Sequence, residues 1–304
     1  MEKRKGAAIL ILCGVLMCFL FLLSVSDRKD GESVKIENVM IPAGDGTYIK
    51  AEFSIPRGAE FGKMPAVVLN HGFAGSMNSA GIGDLSHTLA EHGIAAVRMD
   101  FAHRISKDEN SRMNNSYTVD TMVSDAVLCV DYMIAHYGAD PAKIGIFGRS
   151  MGGRAAMKMA NEKAGGYDYK GLVLAAPAGD DKAFFYYMGG RQKWNAMKKE
   201  AEEKGSIVHQ KVRLYPNFFS SVENYIPSDY GYKFKNPVLV FYNTEDYVVL
   251  PETAKKCGIC YSNCEMTEIS SKRSPHGLEM GFEKSEIKNM IFEEIVEFYQ
   301  KTIC

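Results

Sequence analysis

The sequence predicts an α/β protein with a mostly parallel central sheet flanked by helices, and three observations carry that prediction. Short, continuous apolar runs at 65–70, 94–99, 143–147, 171–176 and 237–242 have the character of strands buried on both faces. Between them lie segments whose apolar residues repeat at helical spacing, a cadence of strand and helix that calls for parallel strands joined by right-handed crossovers. The third observation is Gly148-Arg149-Ser150-Met151-Gly152, placed between an apolar run and the helix-forming stretch 151–162. Glycines there permit a tight strand-to-helix corner, which lifts a serine hydroxyl out of the sheet and sets the next N–H at a helix start. The chain has 304 residues, 46% hydrophobic and 24% charged, enough for one large core. A net charge of −1 offers no global field to recruit nucleic acid, so partners are sought in local chemistry.

The first residues stand apart from the fold. Lys3, Arg4 and Lys5 precede an uncharged apolar run, 6–25, and Asp27, Arg28, Lys29 and Asp30 return the chain to water. We read 1–26 as a signal peptide or membrane anchor, 27–33 as a linker and 34–304 as the folded domain. Ser24-Val25-Ser26 offers small residues for cleavage, but the run approaches the ~20 residues that span a bilayer, which favours an anchor. The basic flank keeps the N-terminus cytoplasmic and exports the rest, giving an extracytoplasmic protein, membrane-anchored or secreted if the segment is cleaved. In such a compartment a disulfide among Cys257, Cys260, Cys264 and Cys304 is expected, with the pairing open. Cys257, Cys260 and Cys264 cluster, but no fourth ligand at a sensible spacing completes a zinc site with them, and neither metal nor cofactor is expected.

Each element of the domain has its own local reason. Alternating residues at 34–41 and 48–55 around Pro42-Ala43-Gly44-Asp45-Gly46 predict an antiparallel hairpin. The strand 65–70 ends in His71-Gly72-Phe73; a helix over 84–92 leads to the strand ending at Asp100. Met122, Ala126, Cys129, Val130 and Met133 mark a helix over 118–137 with Gly138 as its C-cap. The cadence breaks between 178 and 236, read as an inserted cap, which holds 12 of the chain's 33 aromatics, including Phe184, Tyr186 and Trp194. They give the insert its own core, line an apolar pocket, or do both. Regular order returns with a helix at 251–257, a strand at 265–270 and a final amphipathic helix over 282–299.

Serine is a poor nucleophile until a base accepts its proton, and the imidazolium so formed needs a carboxylate to orient it. Ser150, Asp246 and His276 occur in that order, each just beyond a predicted strand, where parallel sheets gather their chemistry. Glu245, Asp180 and Asp181 compete with Asp246 as the acid; no other histidine sits between the last strand and the last helix. His71-Gly72-Phe73, Arg98-Met99-Asp100-Phe101, Gly148-Arg149-Ser150-Met151-Gly152-Gly153, Thr244-Glu245-Asp246-Tyr247-Val248-Val249 and Pro275-His276-Gly277 together resemble the α/β-hydrolase superfamily, and within it the bacterial cinnamoyl (feruloyl) esterase-like carboxylesterases.

The resemblance implies a serine hydrolase of small-molecule carboxylic esters working through an acyl-enzyme, with the backbone N–H groups of Phe73 and Met151 as oxyanion hole and His71 bracing their loop. An exported serine peptidase of the same fold and a non-catalytic, membrane-tethered binding protein are the alternative readings. Two departures stand out. Arg149 replaces the histidine usual before the nucleophile, as a tether or as a contact for an acidic substrate group, and Arg104 and Lys107 make a basic rim where relatives carry a Gly-rich turn. With Phe184, Tyr186 and Trp194, Arg149 is the candidate substrate contact.

Overall fold

The computed structural model describes residues 33–44, 46–101, 117–209 and 212–304, with the side chains of Asp181, Lys182, Phe184 and Val212 left aside. The apolar N-terminal run, Arg104 and Lys107 lie outside the described residues. Strands β1 (Val34–Pro42) and β2 (Tyr48–Pro56) form the expected antiparallel hairpin. There follow β3 (Met64–Asn70), α1 (Ile82–Glu91), β4 (Ala95–Asp100), α2 (Val119–Tyr137), β5 (Ala139–Arg149), α3 (Met151–Glu162) and β6 (Gly171–Ala175). After an interruption come β9 (Val238–Asn243), α7 (Pro251–Ile259), β10 (Cys264–Ile269) and α8 (Glu286–Thr302). The main sheet has the order β1-β2-β4-β3-β5-β6-β9-β10, antiparallel at β1-β2 and β2-β4 and parallel from there on.

Strand residues alternate between two cores because successive side chains point to opposite faces. Val67, Leu69, Phe147, Val173 and Phe241 meet α1 and α8 through Leu85, Leu89, Ile291, Ile295 and Tyr299. Val68, Ile146, Leu172, Leu174 and Val240 face the other way, with α2, α3 and α7. Each fully buried aliphatic side chain contributes about 1.5–3 kcal/mol relative to exposure, so both faces are firmly clad. Gly145 admits α8 closely: a Cβ there would lie 2.5 Å from the Tyr299 ring, whose hydroxyl donates to the Ile146 carbonyl at 2.7 Å.

Between β6 and β9 the chain forms α4 (Asp181–Tyr187), α5 (Arg191–Lys204), a small hairpin of β7 (Ile207–His209) and β8 (Val212–Leu214), α6 (Pro216–Glu223) and a 3-10 turn, Pro227–Lys233. Trp194, Phe218 and Phe219 are buried here in the same core that packs under α2 and α3.

Two expectations are corrected. The last helix begins at Glu286, because the Ser285 hydroxyl accepts from the Lys288 N–H at 3.1 Å and caps it there. Cys257, Cys260, Cys264 and Cys304 are free thiols. Cys257 donates to the Thr253 carbonyl at 3.3 Å, Cys260 to the Cys257 carbonyl at 3.2 Å and Cys264 to the Glu265 carbonyl at 3.4 Å, while Cys304 lies exposed beyond α8.

Candidate active site

Ser150 stands at the corner between β5 and α3 with φ 53° and ψ −119°, a conformation an ordinary residue avoids. Three main-chain bonds hold it: its N–H donates to the Ala175 carbonyl at 3.0 Å, and its own carbonyl accepts from Ala178 at 3.0 Å and Arg154 at 3.3 Å. Glycines make the corner possible. A Cβ on Gly148 would lie 2.4 Å from the Gly152 carbonyl oxygen, and one on Gly152 would lie 2.2 Å from that of Asn70.

His276 reaches Ser150 from the loop after β10, and Asp246 reaches His276 from the loop after β9. Asp246 Oδ2 lies 2.8 Å from His276 Nδ1, and His276 Nε2 lies 3.0 Å from Ser150 Oγ. An ionised carboxylate only accepts, so Nδ1 carries the proton and donates to Asp246 while Nε2 is left to accept from the serine hydroxyl. The second carboxylate oxygen accepts from the Val248 and Val249 N–H groups at 2.8 and 3.1 Å, which fixes Asp246 in a buried position. Of the rival acids, Glu245 is exposed, and Asp180 pairs with Lys256 at 3.1 Å; neither meets His276.

The loop after β3 closes the other side. A Cβ on Gly72 would sit 3.1 Å from Ser150 Cβ, so Phe73 is carried to the rim of the nucleophile. His71 is buried, donates from Nδ1 to the Gly72 carbonyl at 2.8 Å and packs against Phe101 with the rings tilted and their centres 4.7 Å apart. Arg98 and Asp100 hold the following turn: Arg98 donates to the Met77 carbonyl at 2.8 Å and Asp100 accepts from the Met77 N–H at 2.9 Å. Met151 is the first residue of α3, so its N–H has no partner within the helix. Met151 thus follows Ser150 directly, and Phe73 lines the cavity over it.

A cavity of about 170 Å³ opens over the serine, walled by Phe73, Arg149, Ala183, Tyr187, Val248 and His276 among others. Arg149 donates from Nη2 to the main-chain carbonyl of His276 at 3.1 Å, and burial pulls its pKa down against the opposing pull of Asp246. Two expected contacts do not line this cavity. Trp194 is fully buried inside the insert, edge-on to Phe185 and Phe219, and donates to Glu223 at 2.7 Å; Tyr186 is half exposed. The Phe184 side chain lies outside the described residues. Among the described residues of the insert, the aromatic at the wall is Tyr187, one helical turn after Ala183, a spacing that the sequence contains but that aromatic content alone does not single out.

Residues 63–201 match the family described as serine aminopeptidase, S33, a stretch holding Phe73 and Ser150 but ending before Asp246 and His276. No curated protein matches the sequence. Among solved structures, Est1E from Butyrivibrio proteoclasticus superposes with a TM-score of 0.67 at 20% identity, covering 87% of this chain and 98% of that one. The same protein with ferulic acid bound gives 0.66 at 19% identity, covering 87% and 99%. The Pyrococcus furiosus esterase gives 0.59 at 17%, covering 90% and 94%. At these identities the likeness is one of fold, and it bears out the fold implied by the sequence motifs.

Proposed function

We propose that this chain, which has the α/β-hydrolase fold, is a serine hydrolase that cleaves carboxylic esters through an acyl-enzyme. The observation that carries the reading is the continuous relay from Asp246 through His276 to Ser150, with contacts of 2.8 and 3.0 Å. In that reading Ser150 Oγ attacks the ester carbonyl as its proton passes to His276 Nε2. The tetrahedral oxyanion takes hydrogen bonds from the Phe73 and Met151 N–H groups, one such donor being worth about 2.7–4 kcal/mol to the barrier. His276 then gives its proton to the departing alcohol oxygen, leaving the acyl group on Ser150. Water attacks that acyl carbon with His276 again as base, and the acid departs as the Ser150 oxygen regains its proton. Asp246 keeps the imidazole in the tautomer this requires and stabilises it when charged.

Replacing Ser150 with Ala is expected to lower p-nitrophenyl butyrate hydrolysis by about 10³-fold or more, and to abolish labelling by a fluorophosphonate probe. Turnover at the wild-type rate would overturn the reading. The match to the aminopeptidase family supports a second reading, a peptidase with the same relay. Faster release from aminoacyl p-nitroanilides than from p-nitrophenyl esters would favour it. The basic flank and apolar run at the N-terminus support a location on the outer side of the membrane, tethered or released. Recovery of the intact chain in a washed cytosolic fraction would contradict that placement.

A further inference from the structure

The cavity beside Ser150 contains a charge that ester hydrolysis in general does not need. Arg149 lines it together with Ser150 and His276, and among the described residues the rest of the lining, Phe73, Ala183, Tyr187 and Val248 included, carries no charged side chain. A guanidinium carries five N–H donors and a charge it does not give up. Here Nη2 donates to the His276 carbonyl, a neutral acceptor, and the buried Nε has no partner among the described residues. The carboxylate whose field acts on Arg149 is Asp246. Its oxygens are already engaged by His276 and by the Val248 and Val249 N–H groups. A tether to one carbonyl would be served by a neutral amide, so the cation at a cavity wall calls for an anion from outside the chain.

We infer that Arg149 is a substrate-binding cation and that the preferred ester carries a carboxylate on the part of the molecule held beside Ser150. The inference rests on the serine-hydrolase reading only for the word ester; the anion subsite itself can be tested without turnover. In the first experiment, the ratio of kcat/KM for p-nitrophenyl hemisuccinate to that for p-nitrophenyl butyrate is measured in the wild type, Arg149→Gln and Arg149→Lys. Glutamine can still donate to the His276 carbonyl but has no charge, and taking a ratio within each variant cancels any general loss from a displaced His276. The ratio should fall about tenfold or more in Arg149→Gln and stay nearer the wild-type value in Arg149→Lys. An equal ratio in all three proteins would overturn the inference. The same comparison with 4-acetoxybenzoate and phenyl acetate covers a carboxylate carried on the alcohol side.

In the second experiment, calorimetry on Ser150→Ala protein compares monomethyl succinate with methyl butyrate. The anionic ester should bind about tenfold more tightly, and adding Arg149→Gln should erase the difference. Equal affinities for the two esters count against the subsite even if Ser150 proves to be the nucleophile. Absence of fluorophosphonate labelling counts against the nucleophile and leaves the binding comparison standing.

Discussion

At the scale of single residues, the corner at Ser150 is a case of strain held by its surroundings. A non-glycine residue in such a sparsely populated conformation costs about 1–3 kcal/mol, and three main-chain bonds to Ala175, Ala178 and Arg154 keep it there. Gly152 is the position with the least freedom, because a Cβ would come within 2.2 Å of the Asn70 carbonyl oxygen and 2.4 Å of that of His71. Both are main-chain atoms at the end of β3, tied into the sheet and into the Phe73 loop. They cannot rotate away as a flexible side chain would. Gly152→Ala is therefore expected to lower stability by about 1–3 kcal/mol and to cut ester turnover further, since relief comes only by moving Met151 or the Phe73 loop. Urea unfolding and p-nitrophenyl butyrate kinetics on the same preparation check this. A variant unchanged in both would show that the corner has slack that its geometry denies.

At the scale of elements, the loop from β10 to α8 shows what a sequence makes legible and what it does not. His276 was legible because it stands alone between a strand and the last helix, and Ser150 and Asp246 because each follows an apolar run within a local motif. The groups that hold His276 in place were not legible, since their roles exist only once distant segments meet. Asn243 donates to the Ser271 and Pro275 carbonyls at 2.8 and 3.1 Å, and Glu279 accepts from both the Ser271 and Ser285 hydroxyls, with 2.8 Å to the latter. Trp194 was misplaced for a related reason: aromatic content locates a core but does not say which ring faces a cavity. The start of α8 was misjudged because apolar spacing continues through Phe282, whereas the capping hydroxyl of Ser285 decides the boundary.

Glu279 gives this loop a pH dependence. Hydrogen bonds from Ser271 and then Ser285 hold its carboxyl below the usual glutamate range. With the folded pKa below the unfolded one, its contribution is complete above the unfolded value, about 4.3, and is lost as pH falls through the folded value. Glu279→Gln should therefore be less stable than the wild type at pH 7, with the gap narrowing as pH drops below about 4. Urea midpoints of the two proteins across that range test it, and a gap independent of pH would exclude the ionised carboxylate as its cause.

At the scale of the whole molecule, the question is how an insertion of some five dozen residues is made one body with the sheet that interrupts itself to admit it. Arg154 supplies much of the answer. It lies on α3, four residues after Ser150, and is fully buried. Its guanidinium donates to the carbonyls of Ala178 at 3.0 Å and Asp180 at 3.3 Å, where the chain enters the insertion, and to those of Val222 and, at 2.6 Å, Tyr225, near where it leaves. A single side chain thus joins both parts of the insertion to the helix that starts at the nucleophile, and the same insertion carries Ala183 and Tyr187 of the cavity wall. Arg154→Met would roughly fill the volume and leave these buried carbonyls without the guanidinium donors, at a cost of about 3–5 kcal/mol. At about 2–4 °C per kcal/mol for a chain near this size, the thermal midpoint should fall by roughly 6–20 °C. KM for a neutral ester should rise as well, because the wall that Tyr187 forms is no longer fixed over Ser150. Arg154→Lys, which retains a charge but not the planar fork, should lie between the two. Calorimetric unfolding separates the outcomes: a lower single transition fits an insertion coupled to the sheet, whereas a new early transition with the main midpoint unmoved would mean that the insertion melts on its own and that Arg154 does not join the two.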